Sequence, residues 1–280
     1  MIEPCSNLPI PELKPAEFDM IRDLAYRSCG LDLRAGKERL VAVRLGKHIR
    51  AGGFRSFRDY LETVYADRTG NLLSKLIDSL TTNHTGFLRE PAHFDYLREL
   101  LATEYRLRAR MEIWSAASST GEEPYSILFT AAASALERGF GPETRVLGSD
   151  ISTRALAEAR TGLYPRERVS ALPAGWVNRF FESNPDVPHG FVQVKAHTRG
   201  LISFQRINLN ESLPVSKLFP VIFCRNVMIY FNKKTQQMLV ERLTGKLEPG
   251  GYLFVGHSES LSGIDHNLRY VRPAVYRKIA

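Results

Sequence analysis

The sequence predicts an α/β protein: a doubly wound, mainly parallel sheet, preceded by a small all-α domain and carrying an inserted antiparallel β-subdomain. Three observations predict it. From residue 111 onward, short apolar strands alternate with helical segments, the pattern of a parallel sheet buried on both faces. Residues 16–80 carry only short helical stripes. Residues 186–205 then interrupt the alternation with two β-type runs, F-V-Q-V-K and L-I-S-F, around His197 to Gly200.

In chain order, residues 1–15 hold Pro4, Pro9, Pro11 and Pro15 and read as an irregular lead-in. Phe18, Ile21, Leu24 and Ala25 form one helical stripe that Gly30 can stop. Val41, Leu45 and Ile49 recur at i, i+4, i+8 in a helix over about 37–50. Ser56-x-x-Asp59 resembles a capping box before Phe57, Tyr60, Leu61 and Val64. A fourth helix begins near Asn71 with Leu72, Leu73, Leu76, Ile77 and Leu80. The domain limits that follow are 1–80 for a helical domain, 81–94 for a linker, and 95–280 for an α/β domain. Within the last, strands are expected at 111–116, 144–149, 201–207, 219–224 and 251–256, and helices at 122–138, 152–160 and 233–247. Pro249-Gly250-Gly251 is expected to turn the chain before the final parallel strand. Leu268 to Ile279 alternates enough for an edge hairpin. The insert at about 186–205 either covers a sheet edge or offers a platform to which a peptide adds as a strand.

Composition narrows the function. The formal net charge of +8 implies an anionic partner. Between Arg34 and Arg58 eight lysines or arginines face one acid, Glu38, and Lys37, Arg44 and Lys47 lie opposite the Val41 stripe on a helical wheel. A solvated face normally mixes signs, so this one reads as a docking surface for an acidic partner. Three cysteines, Cys5, Cys29 and Cys224, without a C-x-x-C fit a reduced cytoplasm and no disulfide framework. The most apolar stretch, Ile127 to Leu136, is too short to span a bilayer, and the proline-rich start reads as no signal peptide. There is no H-E-x-x-H, P-loop or G-x-S-x-G, and the seven histidines show no metal-ligand spacing, so no metal is expected. His257, in G-H-S-E-S, reads as packing or a local hydrogen bond.

The chemistry centres on E-I-W-S-A-A-S-S-T-G-E-E-P-Y-S, residues 112–126: a buried strand, a small-residue loop, and a helix opening with Glu122, Glu123 and Pro124. Small residues admit a ligand close to the backbone, and a helix start offers unpaired N–H donors. Two carboxylates in the first turn suit the helix dipole and repel an anionic ligand. A nucleoside carrying a cation fits, which points to S-adenosylmethionine with its ammonium and sulfonium. Asp150 closes the strand R-V-L-G-S-D, placed either to accept both ribose hydroxyls or to cap the next helix, for which Ser152 competes. The strand ending F-C-R-N-V-M-I-Y-F brings Arg225 and Asn226, then Tyr230, to the same sheet edge, and Asn208 and Leu209 follow the strand before it.

Together these segments resemble the CheR-type chemotaxis receptor methyltransferases, a protein-glutamate O-methyltransferase family. The resemblance runs from about Phe18 to the end and rests on T-N-H-T-G-F-L-R-E, W-S-A-A-S-S-T-G-E-E-P-Y-S and F-C-R-N-V-M-I-Y-F in order, with G-H-S-E-S beyond them. It implies a class I, Rossmann-like S-adenosylmethionine-dependent enzyme that esterifies glutamates on chemoreceptor cytoplasmic helices and releases S-adenosylhomocysteine. It implies cofactor contacts from Asn83, Thr85 and Arg89, Glu123 at the methionine ammonium, Asp150 at the ribose, and Asn208, Leu209, Arg225 and Asn226 around the rest. Arg89 and Tyr230 would face the incoming glutamate. The basic helix would lie along the receptor, and the β insert would correspond to a subdomain that in some members grips a C-terminal receptor tether. The family run usually has two aromatics before the arginine, where this chain has Phe87-Leu88. A cytoplasmic monomer is expected, with no nucleic-acid partner and no membrane insertion. Rival readings are a nucleic-acid methyltransferase, which the charge would suit but which lacks an Asn/Asp-Pro-Pro-aromatic run, and a catalytically silent adaptor.

Overall fold

A computed structural model describes residues 11–81, 83–183 and 186–279. The first ten residues of the lead-in, with Cys5, and Thr82 of the linker run lie outside the described residues. The chain divides into two compact units. One takes the described residues up to 81 together with Tyr230–Asn232, and the other takes Asn83–Ile229 and the residues from Lys233 on.

The first unit holds α1 (Pro15–Cys29), α2 (Glu38–Ala51), α3 (Phe57–Ala66) and α4 (Asn71–Leu80). Gly30, left-handed at φ 76°, ends α1 and donates its N–H to the Tyr26 carbonyl. The apolar stripes meet in one core: Ile21, Val41, Leu45, Ile49, Phe57, Leu61 and Leu76 are fully buried. Ser56 Oγ accepts the Asp59 N–H at 3.1 Å, but the Asp59 carboxylate turns back to Arg55 N–H, so only half of the expected capping box forms. Buried Glu17 accepts N–H groups from Lys14 and Arg58, tying the start of α1 to the start of α3. The Tyr230 carbonyl accepts the Asp32 N–H, and Phe231 bridges to Leu31.

The second unit begins with α5 (Pro91–Ala102), β1 (Arg110–Ser115), α6 (Glu122–Arg138), β2 (Glu143–Asp150) and α7 (Thr153–Thr161). It continues through β3 (Leu163–Pro165), α8 (Arg166–Val169), α9 (Trp176–Phe180), β4 (Phe181–Glu182), β5 (Phe191–Val194), α10 (Ala196–Arg199) and β6 (Ile202–Arg206). It closes with β7 (Phe219–Phe223), α11 (Lys233–Gly245), β8 (Leu247–Phe254), β9 (Leu268–Arg272) and β10 (Val275–Lys278). Among the described residues, the main sheet has the order β6-β2-β1-β7-β8-β10-β9. The first five strands are parallel, and the last two form the expected edge hairpin.

Two expectations are corrected. The antiparallel piece lies earlier than 186–205: it is the sheet β3-β5-β4, from Leu163 to Val194. L-I-S-F, placed both in the insert and in the strand expected at 201–207, belongs to the latter: Ile202 to Arg206 pair in parallel with Val146 to Asp150 in the main sheet. Strands of two to four residues carry too few alternations to announce themselves, so the sheet partner decides. Pro249-Gly250-Gly251 does not precede the last parallel strand but lies inside it. Pro220 in β7 has no N–H to give, the β7–β8 register shifts there, and Gly251 lets the strands pass closely; a Cβ on it would lie 2.9 Å from the Pro220 carbonyl.

Helix α6 is apolar nearly all round because it is covered twice. Ile127, Leu128 and Ala131 join the core of α5 and the main sheet, while Tyr125 and Phe129 join Tyr164, Phe180, Phe181 and Val194 of the small subdomain. No helix is long and apolar enough among the described residues to cross a membrane.

Candidate cofactor and substrate site

The parallel register brings Ser115, Asp150, Arg206 and Phe223 to one sheet edge, so the loops after β1, β2, β6 and β7 converge there. Ligands in open α/β sheets bind beyond such carboxyl ends. The loop after β1 is fixed from several sides: Ser118 N–H donates to the Ser149 carbonyl, and Ser119 N–H donates to Asp150 Oδ2 at 2.8 Å. Ser152, not Asp150, caps α7, its Oγ accepting the Ala155 N–H. Asp150 instead links the loops after β1 and β2, with Oδ1 accepting the Ser152 N–H at 2.9 Å.

Gly121, at φ 99°, starts α6. A Cβ there would lie 2.8 Å from Tyr164 Oη and 2.9 Å from Ala159 Cβ, and Tyr164 Oη itself donates to the Thr120 carbonyl. The two glutamates that follow go to different partners. Glu122, fully buried, takes Thr120 Oγ1 and the Arg168 guanidinium of α8. Glu123 takes Ser115 Oγ at 2.7 Å and Arg225 Nη1 at 3.0 Å. Each carboxylate is therefore matched by an arginine, and charge repulsion alone no longer excludes a phosphate. Burial pushes the Glu123 carboxyl up, against the opposing pull of Arg225 and Ser115.

Arg225 is 5% exposed and spends its whole guanidinium inside the protein. Besides Glu123, it reaches Glu90 Oε2 through Nη2 at 2.8 Å and Nε at 3.3 Å, and it donates to the Arg89 carbonyl. Asn226 Nδ2 and His257 N–H donate to the other Glu90 oxygen. Burial would raise Glu90, but the Arg225 hydrogen bonds and charge, with Asn226 and His257, outweigh it and hold its carboxyl at about 2. Glu259 gathers the turn after β7: its Oε2 accepts Gly256 and Asn226 N–H, and its Oε1 the Ile229 N–H. Of the five non-glycine residues with positive φ among those described, Leu88, Glu90, Ser119 and Asn226 lie in these loops. Such strain persists only where surroundings overdetermine it.

The linker run is anchored by Phe87, which stacks on Phe129 and meets Tyr164 and Phe181 edge-on. Leu88 N–H donates to Ser126 Oγ, so the single aromatic suffices for this seat. The Asn83 carbonyl accepts Ser119 Oγ at 3.2 Å, which ties the run to the loop after β1. Arg89, half-buried, donates to the His84 carbonyl; Thr85 is half-buried in the same run. Asn208 folds onto its own loop through Asn210 N–H and Glu211, and Leu209 is buried beside it.

Hydrogen bonds join Asn83, Ser119 and Asp150 in one group, and Glu123, Arg225, Glu90 and Asn226 in another. Tyr230 belongs to the helical unit. Sequence reasoning missed Glu90 and Glu259. Both stand inside runs singled out for their neighbours, R-E after the linker and G-H-S-E-S, and a buried acid there was the available signal. On α2 the expected trio separates: Lys37 and Lys47 are exposed, whereas Arg44 donates to the Leu80 carbonyl at the end of α4. Leu40 and Val43 are exposed between them, so that face is mixed apolar and basic.

Two family descriptions cover most of the chain: "CheR methyltransferase, all-alpha domain" over residues 16–81 and "CheR methyltransferase, SAM binding domain" over residues 83–276. The chemotaxis protein methyltransferase 2 of Pseudomonas aeruginosa is 39% identical, over 93% of this chain and 92% of that protein. The chemotaxis protein methyltransferases of Borreliella burgdorferi and Escherichia coli are 36% and 37% identical, each over 94% of this chain and over 94% and 91% of theirs. This chain belongs to the CheR methyltransferase family.

Proposed function

We propose that the protein, as a member of that family, transfers a methyl group from S-adenosylmethionine to the γ-carboxylate of glutamates on chemoreceptor cytoplasmic helices. The observation that carries this reading is the pair of carboxylates at one sheet edge, Glu123 after β1 and Asp150 after β2, with the Asn83–Arg89 run tied across them. That donor set fits the cofactor. A carboxylate in the first turn of α6 suits an ammonium, and one at the end of the second strand suits ribose hydroxyls. When bound, the cofactor supplies an electrophilic methyl on a positively charged sulfur.

The chain's own residues have a limited task. A glutamate of pKa near about 4.3 is already ionised at neutral pH, so no general base is needed. What is needed is in-line positioning and partial exclusion of water. Arg89 would orient the incoming carboxylate by a charge-assisted contact, with Tyr230 as its expected companion. Asn208 and Leu209 would flank the adenosine. Arg225, wholly engaged with Glu90 and Glu123, acts as a positioning residue: it holds Glu123 ionisable and fixes the backbone of the Arg89 loop. On the receptor side, Lys37 and Lys47 with exposed Leu40 and Val43 would meet an amphipathic acidic helix. The short edge of β3-β5-β4 would take a tether peptide where the receptor has one.

Incubation with methyl-labelled S-adenosylmethionine and chemoreceptor cytoplasmic fragments tests the reading. Base-labile label on receptor glutamates is expected. Label confined to nucleic acid, or none on receptor despite cofactor binding, would overturn it.

A further inference from the structure

We propose that Glu90, His93 and His257 form an inhibitory binding site for a divalent transition metal of the zinc class, beside the Arg225–Glu90 pair. Their ligand atoms all lie within 4.8 Å of one another, and among the described residues this is the group of that kind. His93 is 1% exposed; its ring meets the Pro273 backbone, but neither ring nitrogen makes a well-aligned hydrogen bond. Burying a ring so weakly paired is costly, and such polar atoms call for an explanation.

The geometry is close to a metal bite. His93 Nδ1 stands 3.4 Å from Glu90 Oε2, too poorly aligned to be a hydrogen bond. Two ligands bound to zinc at about 2.0–2.1 Å in a tetrahedron lie roughly 3.4 Å apart. His257 is exposed, its ring centroid 4.7 Å from that of His93, so a side-chain rotation brings in a third ligand and leaves the fourth position to solvent. Two imidazoles and one carboxylate suit zinc, cobalt or nickel rather than calcium or magnesium.

Inhibition follows from shared ligation. Glu90 Oε2 is the oxygen that Arg225 Nη2 and Nε contact. A metal on that oxygen would loosen Arg225 from Glu90 and unsettle both Glu123 and the Arg89 backbone, which Arg225 also holds. The ligands come from α5 and the residue before it and from the loop after β8, more than one hundred and sixty positions apart in the chain, which is why no spacing announces them.

The test is a titration of the metal-free full-length protein with Co2+, followed by visible absorption. One equivalent is expected to give the intense bands of low-coordinate cobalt, displaced by Zn2+. Zn2+ at the concentration that displaces cobalt should inhibit methyl transfer, and a chelator should restore it. In His257→Ala, which keeps the backbone N–H to Glu90, cobalt affinity should fall at least about tenfold. Zinc inhibition should vanish there, with metal-free methylation unchanged. His93→Gln should abolish binding too; should it fail to fold, His257→Ala alone decides. Absence of a saturable cobalt spectrum, or an identical spectrum in His257→Ala, would overturn the proposal, and neither result bears on methyl transfer itself.

Discussion

Replacing Arg225 by methionine isolates the central electrostatic element. Methionine keeps much of the side-chain length and removes all three donors that reach Glu90 and Glu123. Both carboxylates are largely buried, at 14% and 11% side-chain exposure, so each is left with only its neutral donors. Removing one partner of a buried ion pair costs about 3–5 kcal/mol, and the carboxylates can recover part of that by taking up protons. We expect a loss of about 3 kcal/mol at pH 7, equivalent to a fall in Tm of roughly 6–12 °C for a unit of this size. The pH dependence carries the reasoning. In the parent, Glu90 has its pKa lowered to about 2, so its contribution is complete above its unfolded value and is lost as pH falls through about 2. Glu123 and Glu259 are raised, Glu259 chiefly by burial against its N–H donors, so their cost at neutral pH eases as pH falls toward the ordinary carboxylate value. Without Arg225, Glu90 joins the raised group, and the variant should gain stability relative to the parent between pH 7 and pH 5. Glu90→Gln added to Arg225→Met should restore about 1–3 kcal/mol. Urea unfolding at both pH values measures each quantity. A variant within 1 kcal/mol of the parent, or a deficit independent of pH and additive with Glu90→Gln, would refute the account.

Other substitutions probe the remaining parts. Gly121→Ala, at φ 99° and 2.8 Å from Tyr164 Oη, should destabilise by about 2 kcal/mol or more and weaken cofactor binding in calorimetry. Gly139→Ala, at φ 73° in open space, should cost only about 1 kcal/mol and leave binding intact. Glu259→Gln exchanges an acceptor of three N–H groups for an amide with one acceptor oxygen, and should cost about 2–3 kcal/mol and lower cofactor affinity. Arg89→Ala should reduce methylation far more than cofactor affinity, whereas Asp150→Ala should weaken the cofactor first; equal losses for Arg89 would reassign it to the cofactor. Lys47→Glu should raise the receptor KM with cofactor binding unchanged, and Arg44→Glu should also lower the melting temperature, because Arg44 ties α2 to the end of α4.

The long elements were legible in the sequence because each obeys a local rule. Val41, Leu45 and Ile49 repeat with the helical period, and α6 begins at Glu122 where a small-residue loop meets two acids and a proline. The F-P-V-I-F strand is apolar throughout because it is buried on both faces. Those same patterns placed Glu123 and Asp150 at one sheet edge, since parallel strands bring every carboxyl end to the same side. Tertiary structure decided what depends on partners distant in sequence. L-I-S-F fitted both the insert and a parallel strand, and only pairing with β2 chose between them; Pro249-Gly250-Gly251 looked like a turn and is a break set opposite Pro220. Arg44, read as a docking cation, also binds the carbonyl of Leu80. Arg225, expected among the cofactor contacts, is held by Glu90 and Glu123, from 135 and 102 positions away, which no local pattern announces. Periodicity and spacing report which face of an element is buried and where it starts. Which charge is neutralised, and by what, is settled only when the folded chain brings the partners together, because a buried ion pair draws its energy from proximity that neither residue encodes alone.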